Sequence, residues 1–175
     1  MNYKDAEILR SDILPDVMII KPSVSWDERG NIYTSYNKYL YDNLLPLDLH
    51  FVHDKFAQSR KNVLRGLHGD TKTWKMISCV WGHLYAVVAD MRPDSPTYKK
   101  WAHFELDHSY YTQILVPPMF VNGYYVESEY AIFHYKLAYE GEYFDVDNQF
   151  VVKWNDPELN ITWPCDKPIL QNRDR

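Results

Sequence analysis

The chain predicts an all-β domain, a sandwich or barrel of short strands. Three observations lead there. Apolar, β-branched and aromatic residues fall in nine short runs, Gly, Pro, Asn, Asp and Ser break them about every ten residues, and 16% of the chain is aromatic, with 15 tyrosines and six tryptophans. Such rings fit a pleated surface and can line a pocket.

The strands are expected at 16–22, 50–57, 62–69, 75–82, 83–91, 100–106, 112–117, 123–128 and 130–139. Gly82 divides one long apolar stretch and is expected to turn it back as a hairpin, and the prolines of "RPDSP" (92–96) make a loop. Helical spacing is confined to "NKYLYDNLLP" (37–46), ended by Pro46, so one or two short helices accompany the strands. The final 25 residues carry turn residues and tryptophan without a period, and should wrap the surface or close one mouth of the barrel.

Composition limits the function classes. At 175 residues the chain suits a single domain spanning 1–175, large enough to bury a core without metals or crosslinks. The net charge of −5 with dispersed carboxylates offers no basic stripe for a nucleic acid backbone. No apolar run approaches the ~20 residues of a membrane span, and the opening "MNYKDAEILRSD" lacks the apolar segment of a signal peptide, so a cytoplasmic protein is expected. Cys79 and Cys165 are too few for a disulfide framework and read as free thiols.

The run "SRKNVLRGLHGD" (59–70) sets Arg65, His68 and Asp70 into what otherwise reads as a buried strand. Strict alternation puts His68 with Leu64 and Gly66 and sends Arg65 to the other face, so the two share a pocket only if the strand twists or bulges at Gly66. Tyr135 in "YAIFHYK" shares a face with Ala131 and Phe133. None of the seven histidines has another two residues away, the spacing a β-barrel metal site uses, so no metal is expected. There is no Gly-x-Ser-x-Gly and no Gly-rich phosphate loop to anchor a hydrolase or kinase.

Taken together, "KNVLRGLHGD", "KMISCVWGHLYAVVADMRPDSPTYKKW", "ILVPPMFVNGYYVESEYAIFHYK" and "WNDPELNITWP", with "DERGNIYTSYN" early and "PILQNRD" at the close, resemble the nucleotide-sugar 3,5-epimerases typified by dTDP-4-dehydrorhamnose 3,5-epimerase. The resemblance is collinear over nearly the whole chain. It implies a cupin-type jelly roll that works as a homodimer on a nucleotide-diphosphate sugar without metal or organic cofactor. It makes His68 the catalytic base, Asp174 the carboxylate that orients it, Tyr135 the acid on the opposite face of the sugar, and Lys75 and Arg65 the contacts to keto oxygen and phosphates. Arg29 of "DERG" and Arg60 join the expected substrate contacts.

The chemistry explains those residue types. A ketone at carbon 4 acidifies the hydrogens on carbons 3 and 5, so epimerisation removes a proton to give an enolate and returns one to the other face. Histidine, with a pKa of about 6.5, serves as a neutral base, while a tyrosine at about 10 retains a proton to give. Departures from the family pattern bear on specificity. Asn122 stands where the family commonly has histidine, and Ala86 stands where an aspartate is usual, which removes carboxylate support for Lys75. Thr34, His53 and Lys55 occupy expected base-contacting positions. These changes resemble epimerases of capsular heptose pathways, so a GDP-linked 4-keto-6-deoxy-heptose, inverted at carbon 3 with carbon 5 left open, is the leading expectation. A dTDP-4-keto-6-deoxyhexose epimerase, a 3,4-ketoisomerase and a non-catalytic sugar-nucleotide binding protein are the alternatives.

Overall fold

A computed structural model describes residues 6–175; the first five residues of the opening segment lie outside the described residues. Among the described residues there are thirteen strands: β1 (Ala6–Arg10), β2 (Met18–Pro22), β3 (Val24–Asp27), β4 (Gly30–Tyr33), β5 (Phe51–Arg60), β6 (Leu64–Gly69), β7 (Trp74–Trp81), β8 (His83–Asp90), β9 (Trp101–Asp107), β10 (Gln113–Val116), β11 (Phe120–Val126), β12 (Tyr130–Ala138) and β13 (Phe150–Val151). The helical segment shrinks to one turn, α1 (Lys38–Tyr41), capped by the Asn37 side chain on the Tyr39 N–H and followed by a 3-10 turn.

Two antiparallel sheets face each other, with strand orders β1-β2-β10-β7-β12-β5 and β13-β6-β11-β8-β9, and β3–β4 stands apart as a hairpin. This is the jelly-roll architecture expected, and the core follows from period-two alternation. Ile77, Ile114, Val116 and Phe133 of one sheet meet Leu84, Ala86, Val88, Phe120 and Tyr124 of the other. Each large side chain buried there stabilises the fold by about 1.5–3 kcal/mol. The outer face of the second sheet carries Tyr85, Val87, Val121 and Tyr125, which the C-terminal tail covers with Leu159 and Trp163. The α1 segment covers the outer face of the first sheet through Tyr41 and Leu45.

Several expectations need correction. Gly82 does not close a hairpin: β7 pairs with β10 and β12, β8 with β9 and β11, so the chain passes there from one sheet to the other. A tight hairpin and a sharp inter-sheet corner both call for a glycine, here at φ 84°, so the residue type does not separate them. β1, the β3–β4 hairpin and β13 were not expected. β13 leads into the tail and exists through its pairing of Phe150 and Val151 with Gly69 and His68 of β6.

Candidate active site

β6 is the strand that brings Arg65 and His68 together. On β11, Asn122 pairs with His68 and Tyr124 with Arg65, so three steps along β6 match two along β11. The extra residue is a bulge, and it reverses the parity of the strand between the two side chains. Gly66 sits in it at φ 117°. A Cβ on Gly66 would lie 2.5 Å from the Gly123 Cα, so both strands need glycine at the crossing.

Arg65 and His68 thus line one cavity of about 330 Å³ between the sheets, together with Lys55, Asp70, Thr73, Lys75, Asn122 and Tyr135. The segment after β12 adds Tyr143, Asp145 and Gln149 to its wall, and the end of the tail adds Gln171 and Arg173. The tail was expected to wrap the surface or to close a mouth; it covers the outer sheet face with Leu159 and Trp163, and its end joins the cavity wall.

His68 is held from behind. Its Nε2–H donates to Asp174 Oδ1 at 2.6 Å, and Asp174 is 0% exposed in the last turn of the chain. The second carboxylate oxygen accepts the Gly66 N–H at 3.4 Å. Burial works against a charge on Asp174, but hydrogen bonds from His68, Gln171 and Gly66 outweigh it and hold the carboxyl below its ordinary range. Arg173 Nε lies 3.2 Å from the same His68 nitrogen. One ring nitrogen cannot both donate to a carboxylate and accept from a guanidinium, and the shorter bond to the anion wins. That tautomer leaves Nδ1 with the free lone pair. Gln149 holds the guanidinium aside through Arg173 Nη2 at 3.1 Å.

Tyr135 comes from β12, on the inward face with Phe133, whose ring packs edge-on at 4.4 Å. Burial raises its phenol well above the ordinary tyrosine range, so the proton stays on at any working pH. Lys75 Nζ lies 3.3 Å from the His68 carbonyl, 3.5 Å from Asn122 Oδ1 and 3.7 Å from Asp70 Oδ2. Burial lowers its pKa, and Asp70 opposes that effect. The carboxylate beside Lys75 therefore comes from the turn after β6, which corrects the expectation that Ala86 leaves it without one; Ala86 lies in the apolar core. Arg65 Nε donates to Ser59 Oγ at 2.9 Å, which keeps the guanidinium on the cavity side.

Four expected substrate contacts are not brought to this cavity. Arg29 is on the exposed β3–β4 hairpin, paired with Asp27 at 2.6 Å. Arg60 ends β5 as an exposed residue opposite Tyr130. Thr34 lies beside α1, where its carbonyl faces the Tyr41 hydroxyl. His53 stands one layer back, its ring 4.8 Å from that of Tyr143, the residue that does line the wall. Lys55 is present, donating to the Tyr143 hydroxyl at 3.1 Å. Sequence reasoning missed Thr73, Tyr143, Asp145, Gln149, Gln171 and Arg173 as lining residues. Arg173 had one signal, its place beside Asp174; the others lie in turns or loops whose position no local pattern reports. Outside the lining, His83 has its two ring nitrogens 2.8 Å from Glu105 and 3.4 Å from Glu127, a cluster at the protein surface.

Residues 12–175 match the sequence profile of the family described as dTDP-4-dehydrorhamnose 3,5-epimerase. The chain belongs to that family. The dTDP-4-dehydrorhamnose 3,5-epimerase of Salmonella typhimurium is 36% identical over 165 residues, which cover 92% of this chain and 88% of the relative. A crystal structure of the Legionella pneumophila epimerase in complex with dTDP-4-keto-L-rhamnose superposes with a TM-score of 0.88 at 33% identity, covering 97% of this chain and 90% of that one. The Bacillus anthracis epimerase with TDP and pyrophosphate bound also gives 0.88 at 33% identity, over 98% and 97% of the two chains. A Streptomyces niveus relative named dTDP-4-dehydrorhamnose 3-epimerase is 29% identical over 89% of this chain and 75% of its own. Membership makes this protein a nucleotide-sugar epimerase, an isomerase on a jelly-roll scaffold.

Proposed function

We propose that this epimerase acts on a dTDP-linked 4-keto-6-deoxyhexose and inverts carbons 3 and 5. The observation that carries the reading is one cavity into which His68, backed by buried Asp174, and Tyr135 both project from different sheets. An epimerase needs a base and an acid with opposed protonation requirements, and these two have them. In this reading the sugar ring lies between the sheets. His68 Nδ1 removes the proton next to the C4 ketone, and Asp174 stabilises the imidazolium that results. The enolate oxygen forms beside the Lys75 ammonium, in a buried setting where a fixed charge acts strongly. The Tyr135 phenol returns a proton to carbon from the other side; the imidazolium then releases its proton to water and the phenolate regains one, so the same pair acts at the second carbon. Arg65, Lys55 and Arg173 supply positive charge for the diphosphate, the two guanidiniums in the forked geometry that phosphate oxygens accept.

The dTDP carrier is favoured because the relatives named above are dTDP-sugar epimerases and because His53 and Thr34, two of the residues that pointed to a GDP-linked heptose, stand off the cavity. We also read the chain as a homodimer in the cytoplasm; light scattering at twice the chain mass tests the former. The deciding experiment incubates the protein in deuterium oxide with dTDP-4-keto-6-deoxyglucose and, separately, with the GDP-4-keto-6-deoxy-heptose, and follows label by NMR. Label at carbons 3 and 5 of the dTDP sugar is expected. Label at carbon 3 alone reduces the activity to that named for the Streptomyces niveus relative, a carbonyl moved to carbon 3 makes it a ketoisomerase, label only in the heptose restores the GDP reading, and none anywhere leaves a binding protein.

A further inference from the structure

The corner of the cavity around Lys75 is polar, closed and incompletely bonded. Asp70 and Thr73 are 2% and 1% exposed, and Asp70 Oδ2 and Thr73 Oγ1 are buried without a hydrogen-bond partner among the described residues. Native proteins rarely leave such atoms orphaned unless a ligand or water meets them. Asp70 is nonetheless rigid. Its Oδ1 accepts the N–H of Thr73 at 2.7 Å and of Lys72 at 3.0 Å, and its carbonyl accepts the Met119 N–H at 2.8 Å. The carboxylate is therefore a fixed negative charge whose free oxygen stands 3.7 Å from the Lys75 ammonium, beyond hydrogen-bond length.

That separation has a chemical use. A carboxylate bonded directly to the ammonium would occupy an N–H and neutralise its charge. One held slightly off keeps the lysine protonated against burial while its N–H groups stay available. The other acceptors near Lys75, the His68 carbonyl and Asn122 Oδ1, are also long, at 3.3 and 3.5 Å.

We propose that Asp70 is the positioning residue for Lys75, holding its ammonium charged and directed at the oxygen where enolate charge develops. The inference rests on the epimerase reading above. It assigns to the turn between β6 and β7 a role that the family pattern places on β8, at the position Ala86 occupies here.

The test compares wild type, D70N, K75M and D70N/K75M. D70N keeps an oxygen for the turn's N–H groups and removes the charge. Expected are a roughly tenfold or larger fall in kcat, smaller than the 10²–10³ that loss of an oxyanion donor itself costs, an unchanged dTDP Kd, and an alkaline limb of the kcat profile displaced to lower pH. In the K75M background D70N should cost less than about twofold, since it acts through the lysine. An unmoved pH profile, or an equal loss in both backgrounds, overturns the proposal and marks Asp70 as a turn cap. D70S, whose hydroxyl can also cap the turn, gives the same readouts should D70N not fold. Competitive acetylation of Lys75 across pH, read by mass spectrometry, needs no turnover and so separates this proposal from the functional one: D70N should make the amine reactive at lower pH, and an unchanged titration overturns the inference even if the substrate proves different.

Discussion

Asp174→Asn is the sharpest probe of the His68 site. The wild-type imidazole donates Nε2–H to a carboxylate at 2.6 Å that is shut off from solvent. When His68 takes a proton, the imidazolium so formed meets a full negative charge; at an effective dielectric of about 20 that attraction is at most roughly 6 kcal/mol. Desolvation and the residual polarity of the asparagine offset part of it, and a charge-assisted hydrogen bond contributes about 1.5–3 kcal/mol net. Asparagine adds a second effect. Its amide N–H can donate to Nε2, which moves the ring proton to Nδ1 and removes the lone pair that the proposed mechanism uses as base; a reversed tautomer of this kind costs about 10⁴ in rate. The expected fall in kcat is therefore about 10²–10⁴, roughly 3–5 kcal/mol of barrier. Deuterium uptake at carbons 3 and 5 in the dTDP sugar should slow together, because one base serves both. The dTDP Kd should stay within about twofold, since Asp174 is behind His68 and off the cavity lining. A variant that keeps more than a tenth of wild-type kcat, or slows at only one carbon, would refute the assignment of His68 and Asp174 as a base and its support.

Tyr135→Phe leaves the base in place and removes the acid, so inversion should fall by about 10²–10⁴ while label still enters by return from the His68 side with retained configuration; NMR of recovered substrate reads both, and inversion at wild-type rate rejects the phenol. Gly66→Ala puts a methyl 2.5 Å from the Gly123 Cα at φ 117°, and urea unfolding should show a loss of about 2–5 kcal/mol from strain and overlap; wild-type stability would mean the bulge is not needed. Asp90 and Asp174 both titrate below the ordinary carboxyl range, Asp90 because bonds from Arg92, Ser95 and Thr97 overcome its burial. Their folded pKa values lie under the unfolded ones, so the unfolded chain binds more protons in acid and stability falls with pH. The urea midpoint should be flat above about pH 5 and drop steadily below about pH 4; a midpoint that rises in that range contradicts the sign.

Much of the molecule was legible in the chain. Alternation along residues 130–136 put Tyr135 on one face with Ala131 and Phe133, and all three face the core between the sheets, because the period of a strand is a local property of the backbone. The family motifs around residues 59–70 and 130–136 marked His68 and Tyr135, and the closing "QNRD" marked Asp174. The bulge was readable only as a condition: alternation showed that Arg65 and His68 needed one at Gly66, while the register that supplies it depends on which strand lies alongside.

What remained hidden were relations between segments far apart in sequence. Thr34, His53, Arg29 and Arg60 are the right residue types for phosphate or base contacts, and residue type carries no information on which side of a sheet layer a loop comes to rest. Gly82 looked like a hairpin because its conformation is local while the partners of β7 and β8 are not. The hydrogen bond between His68 and Asp174 spans 106 residues, and the carboxylate that faces Lys75 comes from the turn after β6 when the family pattern pointed to β8. Local chemistry is written in the order of residues; proximity in this cavity exists only once two sheets have closed on one core and drawn the tail across their mouth.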